Sequence, residues 1–218
     1  MQSEQALAGA YRSRSVAEEY GSRHKGSMIR RIVSRREAGI LASLFYDLPE
    51  GALLLDAACG IGRHSPGLAK RGWKTISLDA SFEMILRGCL ENSLRPGSVV
   101  NGSVFDLPFR NKSLDGCACM RFLHHLPDAG QRCAVLKEFS RVAKGPVVIS
   151  FWTGFSVQSL RRRLKQLMGR RPSARYRIKR SELKDELLKA GLVLGRIRYL
   201  HRFFSETAYA RLLPVEKG

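Results

Sequence analysis

Apolar positions along the chain fall into short runs that alternate with stretches of helical spacing. The short runs predict strands at residues 52–55, 74–78, 98–100, 114–120 and 147–151. The stretches between them predict helices at residues 63–71, 81–90 and 128–143. Parallel strands need long crossover connections, so this alternation predicts a mainly parallel sheet with helices on both faces. The predicted fold class is therefore α/β with a doubly wound sheet.

Both ends of the chain add elements to this alternating core. Apolar residues between Met28 and Phe45 have helical spacing and predict helices that end before Pro49. Near the other end, Ser181 as N-cap and Gly191 as closing glycine bound a predicted helix. Runs at residues 192–200 and 202–209 predict a final strand pair, which makes a seven-stranded sheet. The predicted segments are N-terminal helices at residues 1–48, a core at 49–153, an insertion at 154–180, and a C-terminal helix with the strand pair at 181–218.

Composition fits one folded domain with an unusual charge. The chain has 218 residues, of which 44% are hydrophobic, enough for a packed core. It carries 38 Lys and Arg against 19 Asp and Glu, a formal net charge of +19. Residues 161–180 hold ten basic and no acidic residues, so the insertion concentrates this excess. A basic block of this kind predicts an anionic partner or a strongly solvated face.

Targeting and cysteine signals point away from export. The sequence has no apolar run of about 18 residues, and its first residues lack the basic start and apolar stretch of a signal peptide. The five cysteines show no zinc-ligand spacing and fit reduced, buried thiols, so no metal site is predicted. We therefore expect a cytoplasmic protein that contacts a membrane, if at all, from its surface.

A glycine turn follows the first strand of the core and is the best candidate for a ligand site. Asp56 ends the predicted strand, and Gly60 and Gly62 lie in the turn that leads into the next helix. A dinucleotide fingerprint requires a small third residue where Ser65 stands, and no Gly-Lys-Ser or Gly-Lys-Thr is present for a phosphate loop. Asp56 would also repel a phosphate at the helix start. A cationic ligand with a nucleoside attached fits these residues better.

Four segments, in order, resemble the motifs of class I S-adenosylmethionine (SAM) methyltransferases. They are Asp-Ala-Ala-Cys-Gly-Ile-Gly at residues 56–62, Ser-Leu-Asp-Ala-Ser-Phe-Glu-Met-Ile at 77–85, Gly-Ser-Val-Phe-Asp-Leu-Pro-Phe at 102–109, and Ser-Leu-Asp at 113–115 followed by Met-Arg-Phe-Leu-His-His-Leu-Pro at 120–127. The resemblance covers residues 53–149 and implies SAM as cofactor. It also implies that the N-terminal helices close over the cofactor as a lid.

The resemblance assigns roles to residues of these segments. Asp56 would hold the methionine amino group, Asp79 would accept hydrogen bonds from the ribose, and the two glycines would let the backbone approach the cofactor. Ser103 stands where the family usually has an acid that binds the adenine amino group, which weakens this contact. The implied cofactor-binding residues are Asp56, Ala58, Gly60, Gly62, Asp79, Ala80, Met84, Ser103, Val104 and Arg121. Arg121 would contact the carboxylate of SAM or an anionic acceptor.

Catalytic groups and the acceptor stay open at this stage. His124 and His125 are candidate general bases, with a structural role in the cofactor shell as the other interpretation. The predicted function is methyl transfer to a small or lipid-linked acceptor of the quinone, lipid or envelope glycolipid type. The alternatives are a tRNA or rRNA methyltransferase and a SAM-binding protein without catalysis. The basic residues that would contact RNA or an anionic membrane are Arg161, Arg162, Arg163, Arg170 and Arg171.

Overall fold

A computed structural model describes residues 28–91, 93–153, 176–201 and 206–215 of the chain. These residues form one seven-stranded sheet with helices on both faces. The helices are α1 (Met28–Leu44), α2 (Ser65–Ala69), α3 (Phe82–Leu90), α4 (Ala129–Val142) and α5 (Arg180–Lys189). The strands are β1 (Leu53–Ala57), β2 (Lys74–Asp79), β3 (Val99–Asn101), β4 (Gly116–Cys119), β5 (Val147–Trp152), β6 (Leu192–Tyr199) and β7 (Thr207–Pro214).

The order of the strands creates a crevice at the centre of the sheet. The strands lie in the order β3-β2-β1-β4-β5-β7-β6, and the first five in the chain are mutually parallel. β7 is antiparallel to both β5 and β6. After β1 the chain builds outward on one side through β2 and β3, and it then returns to place β4 on the other side. The carboxyl ends of β1 and β4 therefore flank the point where ligands bind in open α/β sheets.

Two apolar layers cover the two faces of the sheet. Successive residues of a strand point to opposite faces, so Leu55 packs in one layer and Leu54 in the other. The first layer includes Phe139 of α4 and Leu183 of α5, and the second includes Phe45, which follows α1. All residues of β4 are buried, as expected of a central parallel strand. Burial raises the pKa of the Cys117 and Cys119 thiols, which keeps them protonated.

The fold class, a doubly wound mainly parallel α/β sheet of seven strands, is confirmed. Two element boundaries were predicted wrongly. Helix α5 begins at Arg180, so Ser181 is not its N-cap; instead the Glu182 carboxylate accepts the Lys179 backbone N–H at 3.2 Å. The last strand covers Thr207–Pro214 and so ends beyond the predicted residue 209, because it pairs with the whole length of β5. Residues 202–205 of the predicted strand lie outside the described residues. Gly191 does close α5, with a left-handed φ of +70°.

Two predicted segments lie largely outside the described residues. These are the part of the predicted lid before Met28 and residues 154–175 of the insertion predicted at 154–180, which include Arg161, Arg162, Arg163, Arg170 and Arg171. The residues on either side of 154–175 are described. Thr153 donates its backbone N–H to Glu206 O at 2.8 Å, and Tyr176 donates its own to His124 O at 2.7 Å. The insertion therefore leaves and rejoins the fold at the carboxyl end of β5. Among the described helices, none has the length and apolar character needed to cross a membrane.

A buried ion pair joins α4 to α5 and generates a stability prediction. Arg132 and Glu186 are about 95% buried, and Arg132 Nη2 lies 2.5 Å from Glu186 Oε1. The change Glu186→Ala leaves the guanidinium buried without its carboxylate, so the free energy of unfolding should fall by about 3–5 kcal/mol. Urea unfolding measures the loss. Asp185→Ala is the matched control, because Asp185 is the preceding, exposed residue of the same helix and should change stability little. Equal effects of the two changes would contradict this account of the pair.

Candidate functional site

The turn after β1 has a backbone that only a few residue types adopt easily. Ala58, Gly60 and Gly62 have φ values of +52°, +58° and +75°, in the left-handed region. A Cβ on Gly62 would lie 2.2 Å from Leu94 Cδ2, so no side chain fits there. Ala58 is a non-glycine residue in this strained region, and such strain concentrates at functional sites. The turn thus places backbone atoms that no bulky side chain covers at the carboxyl end of β1.

Asp79 connects this turn to the end of β2. Its Oδ2 accepts the Gly60 backbone N–H at 2.7 Å, and its Oδ1 accepts the Ser81 N–H at 2.9 Å. Burial raises the pKa of Asp79, while the two backbone N–H groups oppose that rise. Each carboxylate oxygen has a second lone pair, so Asp79 can still accept two hydroxyl groups. This geometry suits the 2′- and 3′-hydroxyls of a ribose.

Asp56 supplies a second carboxylate below the turn. It is 2% exposed, and its Oδ2 accepts the Ser65 hydroxyl at 2.7 Å. Burial raises the pKa of Asp56 to about 6; the Ser65 hydrogen bond opposes the rise and the nearby Asp79 charge adds to it. Ser65 Oγ also lies 3.0 Å from Ser77 Oγ. The buried Asp56 and the partly buried Asp79 together attract a cation. A bound cation would in turn favour the ionised form of Asp56 and lower its pKa.

The remaining residues predicted for the nucleoside lie around Asp79. The Gly102 N–H donates to Asp79 O at 3.1 Å, which places the turn containing Ser103 and Val104 beside the end of β2. Ser103 Oγ accepts the Phe105 N–H at 3.0 Å and so shapes this turn. Val104 is buried in the main core, and Ala80 is exposed next to Asp79.

Met84 on α3 closes the nucleoside side of the turn. It is buried, and its Cε lies 3.4 Å from the position of a Cβ on Gly60. The Ser81 hydroxyl accepts the Met84 backbone N–H at 3.3 Å and caps the helix. The structure thus brings Gly60, Asp79 and Met84 together, as the motif order implied.

The end of β4 carries the predicted Arg121 and the two histidines. Arg121 has a left-handed φ of +62°, and its backbone N–H donates to Ser150 Oγ at 2.6 Å. His124 is 1% exposed and its ring stacks on Trp152, with 5.0 Å between centroids and 21° between planes. The His125 ring lies 4.3 Å from the His124 ring and is only partly buried. This geometry gives His124 a packing contact and leaves His125 nearer to solvent; a role as general base stays a prediction for both.

Three further residues of the site were missed by the sequence reasoning. Glu37 of α1 is 2% exposed and lies within hydrogen-bond distance of Arg63, which follows the glycine turn. Tyr209 of β7 donates its hydroxyl to Glu37 Oε1 at 2.9 Å. Glu37 stands where the helical spacing of α1 would place an apolar side chain. An acid at such a position is the signal that could have identified it. Its partners are distant in sequence, so only the fold reveals them.

His64 begins α2 and packs rather than caps. Its side chain makes no capping hydrogen bond, and it is 6% exposed. Burial, together with the charges of Arg63 and Arg121, lowers the pKa of His64 to about 3, so the ring is neutral at physiological pH. Within the described part of the chain, no group of three or more His, Cys, Asp or Glu side chains is arranged to hold a metal.

Comparisons with known proteins agree with this geometry. The model of the family described as "Methyltransferase domain" matches residues 55–151, which include the glycine turn, Asp79 and Arg121. The matched segment runs from β1 to β5 and therefore covers the whole parallel part of the sheet.

Two curated relatives match parts of the chain. A demethylmenaquinone methyltransferase of Thermobifida fusca (strain YX) is 29% identical over 153 residues, which are 69% of this chain and 63% of the relative. A tRNA (carboxymethyluridine(34)-5-O)-methyltransferase of Arabidopsis thaliana is 31% identical over 114 residues, 51% of this chain and 27% of the relative. The aligned regions thus span less than two thirds of each relative.

Solved structures share the fold over nearly the whole chain. The magnesium protoporphyrin IX methyltransferase of Synechocystis PCC 6803, with bound S-adenosylhomocysteine (SAH), superposes with a TM-score of 0.76 at 18% identity, covering 97% of this chain and 99% of the other. A SAM-dependent methyltransferase from Aquifex aeolicus has a TM-score of 0.66 at 20% identity, covering 93% and 99%. At this level of identity the likeness shows the fold.

The geometry of the glycine turn predicts a loss of cofactor binding on substitution. The change Gly62→Ala places a methyl group against Leu94 and forces a left-handed backbone on alanine. We expect SAH affinity to fall at least tenfold, as measured by calorimetric titration. Gly97→Ala is the control, because a Cβ at Gly97 meets nothing within 4 Å. Equal affinity of the two variants would show that the turn does not need glycine.

The raised pKa of Asp56 predicts how binding depends on pH. The protonated carboxyl no longer attracts the ligand amino group, so SAH affinity should decline as the pH falls below about 6, by up to tenfold per pH unit. Asp56→Asn should bind weakly at neutral pH and lose much of this pH dependence. Titrations between about pH 5 and pH 7.5 at constant ionic strength measure both curves. If SAH affinity fell with pH in the same way for both proteins, Asp56 would not be the group that binds the ligand amino group.

The residues of the crevice fit SAM. The carboxylates of Asp56 and Asp79 match a cationic ligand, Asp79 has free acceptor capacity for a ribose, and the glycine turn lets the protein backbone approach the ligand. The family match covers all of these elements, and the fold is that of enzymes solved with SAM or SAH. Residues 55–151 therefore form a class I SAM-dependent methyltransferase domain, whose cofactor is S-adenosylmethionine.

Proposed function

We propose that this protein transfers the methyl group of SAM to a small or lipid-linked acceptor of the quinone, lipid or envelope glycolipid type. The observation that carries the cofactor half of this proposal is Asp79, whose two oxygens accept backbone N–H groups from the glycine turn and from Ser81. That arrangement holds the turn and the ribose acceptor in one rigid unit. The proposed class of acceptor rests on the residues that surround the end of β5.

The residues of this protein would contribute to the reaction mainly by positioning the cofactor and the acceptor. SAM, when bound, would supply a methyl group on a positively charged sulfur; the nucleophile of the acceptor would bond to the methyl carbon in line, and the C–S bond would break to release SAH. Asp56 and Asp79 would orient the two ends of the cofactor. Good orientation of two reactants contributes roughly 7–11 kcal/mol to lowering a barrier. His125, partly exposed near the end of β4, is the candidate to take a proton if the acceptor must lose one.

Two observations support an acceptor of the lipid-linked type. The basic insertion leaves and rejoins the fold at Thr153 and Tyr176, beside the stacked His124 and Trp152. Anionic lipid headgroups attract such a basic segment. The relative that aligns over the larger share of this chain is named for demethylmenaquinone. We propose on this basis a cytoplasmic protein that binds the membrane surface.

The second candidate is a tRNA or rRNA acceptor. The Arabidopsis relative is named for a tRNA uridine, and a net charge of +19 suits a phosphate backbone. Within residues 161–180, however, only Tyr176 is aromatic, whereas single-stranded RNA is usually stacked on several aromatic rings. A third candidate, SAM binding without catalysis, rests on Ser103 in place of an acid. The acceptor experiment separates the three.

Vesicle binding tests the membrane proposal. The protein should sediment with vesicles that contain phosphatidylglycerol and stay in solution with pure phosphatidylcholine. Each basic residue near an anionic surface contributes about 1 kcal/mol, so the triple change of Arg161, Arg162 and Arg163 to Ala should weaken binding on the order of 100-fold. The matched control is the triple change of Lys70, Arg71 and Lys74 to Ala, three exposed basic residues at and just before the amino end of β2, whereas the insertion leaves the fold at the carboxyl end of β5.

Transfer of labelled methyl groups identifies the acceptor class. With labelled SAM and cell extract, label should enter the lipid-extractable fraction. Label in RNA, together with salt-sensitive binding that the Arg161–Arg163 change abolishes, would favour the RNA candidate. If the protein bound the cofactor but label entered no fraction, only the third candidate, SAM binding without catalysis, would remain. Equal binding to both vesicle types would remove the membrane proposal.

A further inference from the structure

Strand β6 forms one edge of the sheet and carries a basic surface that the proposed reaction does not use. Its sequence contains two arginines and no acidic residue. Arg196 and Arg198 are exposed, and so is the apolar Val193. Charged side chains on an edge strand hinder pairing with another sheet. That account explains the presence of charge but not its single sign, which gives the surface a preference for anions.

The pairing of β6 with β7 shows which face of the sheet these side chains occupy. Arg198 is the partner of Tyr209, and side chains of directly paired residues lie on the same face. Tyr209 donates its hydroxyl to Glu37 of α1, so this is the face that α1 covers. Tyr209 is buried beneath the helix, whereas Arg198 on the outer strand is exposed. Helix α1 therefore leaves this face of β6 open.

Two contacts join α1 to β6 across the open face. Both β5 and β6 are antiparallel to β7, so β6 ends at the carboxyl edge of the sheet. There Arg36 Nη1 of α1 lies 3.4 Å from Nε2 of His201, just after β6. Nearer the amino edge, the Arg196 guanidinium lies over the ring of Tyr46, 5.6 Å from its centroid. We name this surface the Tyr46 face, and it consists of Ile32, Arg36, Tyr46, Val193, Arg196 and Arg198.

A second arginine holds Tyr46 in the Tyr46 face. The Arg211 guanidinium lies 4.7 Å from the centroid of the Tyr46 ring, and Arg211 Nη1 donates to the Tyr46 hydroxyl at 3.2 Å. Tyr46 is nevertheless 62% exposed. Because two guanidinium groups already lie over the ring, it is poorly placed to stack on a nucleobase. Tyrosine suits the surface of a bilayer, since its ring is apolar and its hydroxyl is polar.

Charge and exposed apolar side chains together select the partner of the Tyr46 face. The two carboxylates that neighbour it in the chain are engaged, Asp47 with Arg211 and Glu37 with Arg63, so its three arginines give it a net charge of +3. Ile32 is exposed one helical turn before Arg36, on the same side of α1. Anionic headgroups attract the arginines, and aliphatic side chains can enter the boundary between headgroups and acyl chains. A phosphate backbone would use the arginines alone.

We propose that the Tyr46 face docks the protein on an anionic lipid surface. This inference rests on the proposed function, which places the protein at a membrane, and it assigns a docking surface outside the insertion. One end of the face adjoins the cofactor crevice, because Arg36 directly precedes Glu37, which pairs with Arg63 after the glycine turn. A protein docked in this way holds its crevice close to the membrane, where a lipid-linked acceptor can enter.

Sedimentation of the full chain with vesicles tests the Tyr46 face. The triple change of Arg36, Arg196 and Arg198 to Ala should weaken binding to vesicles that contain phosphatidylglycerol on the order of 100-fold. Changing the same three residues to Lys should keep binding within about threefold of that of the unaltered protein, because headgroups attract either cation.

The matched control is the triple change of Lys137, Lys184 and Lys189 to Ala. It removes the same charge from exposed positions on α4 and α5, which cover the opposite face of the sheet. Binding should weaken by less than about fivefold, because salt screens charges that lie far from the lipid surface. Calorimetric titration with SAH should give the same affinity for all three variants as for the unaltered protein, which verifies that each is folded.

Each other outcome overturns a defined part of the proposal. Equal binding of the Arg-to-Ala variant and the lysine control would refute the Tyr46 face and leave the proposed function intact. Equal losses in the Ala and Lys variants of the three arginines would show that these side chains support the structure instead of attracting headgroups. If the unaltered protein bound no vesicles, the membrane part of the proposed function would be wrong, and the Tyr46 face with it. Binding of a single-stranded uridine oligonucleotide that only the Arg-to-Ala variant lost, without vesicle binding, would make the face a nucleic-acid surface.

Discussion

The hydrogen bond from the Gly60 backbone to Asp79 is the interaction on which the site depends. It is 2.7 Å long and joins the turn after β1 to the end of β2, two strands that pair in parallel. Because Gly60 has a left-handed φ and no side chain, its N–H can point at the carboxylate without a clash. The same carboxylate accepts Ser81, whose hydroxyl caps α3. One side chain therefore orders a turn, a strand end and a helix start.

Burying acids at this place has an energetic consequence for the protein without ligand. The pKa of Asp56 is about 6 in the folded protein and near 3.8 in an unfolded chain, so the folded protein holds the proton more tightly. The ionised carboxylate therefore lowers folding stability above about pH 6, and stability rises as the pH falls through that value. A bound cation removes this penalty. The ionised Asp56 thus lowers the stability of the folded protein until a cation binds beside it, and such costs are common at functional sites.

Much of the fold followed from local patterns along the chain. The five parallel strands lie within a few residues of the predicted runs, because buried parallel strands are continuous apolar segments bounded by turns. The ends of elements were harder to predict. The N-cap of α5 was misplaced because the Glu182 side chain, rather than Ser181, satisfies the first backbone donor. The last strand was placed too early because its extent depends on its partner β5, which no local pattern contains.

The candidate site likewise has features that the sequence predicts and features that only the tertiary structure shows. The sequence by itself determined the fold class, the glycine turn and the acids at two strand ends, because each is a local feature whose chemistry depends on residues close together in the chain. Only the tertiary structure revealed the contacts of Glu37 with Arg63 and Tyr209 and the stacking of His124 on Trp152. Glu37 and Tyr209 are 172 positions apart and meet only because β7 inserts beside β5 and α1 covers that face of the sheet. Burial and charge balance are properties of such assembled surroundings, which no local stretch of the sequence contains.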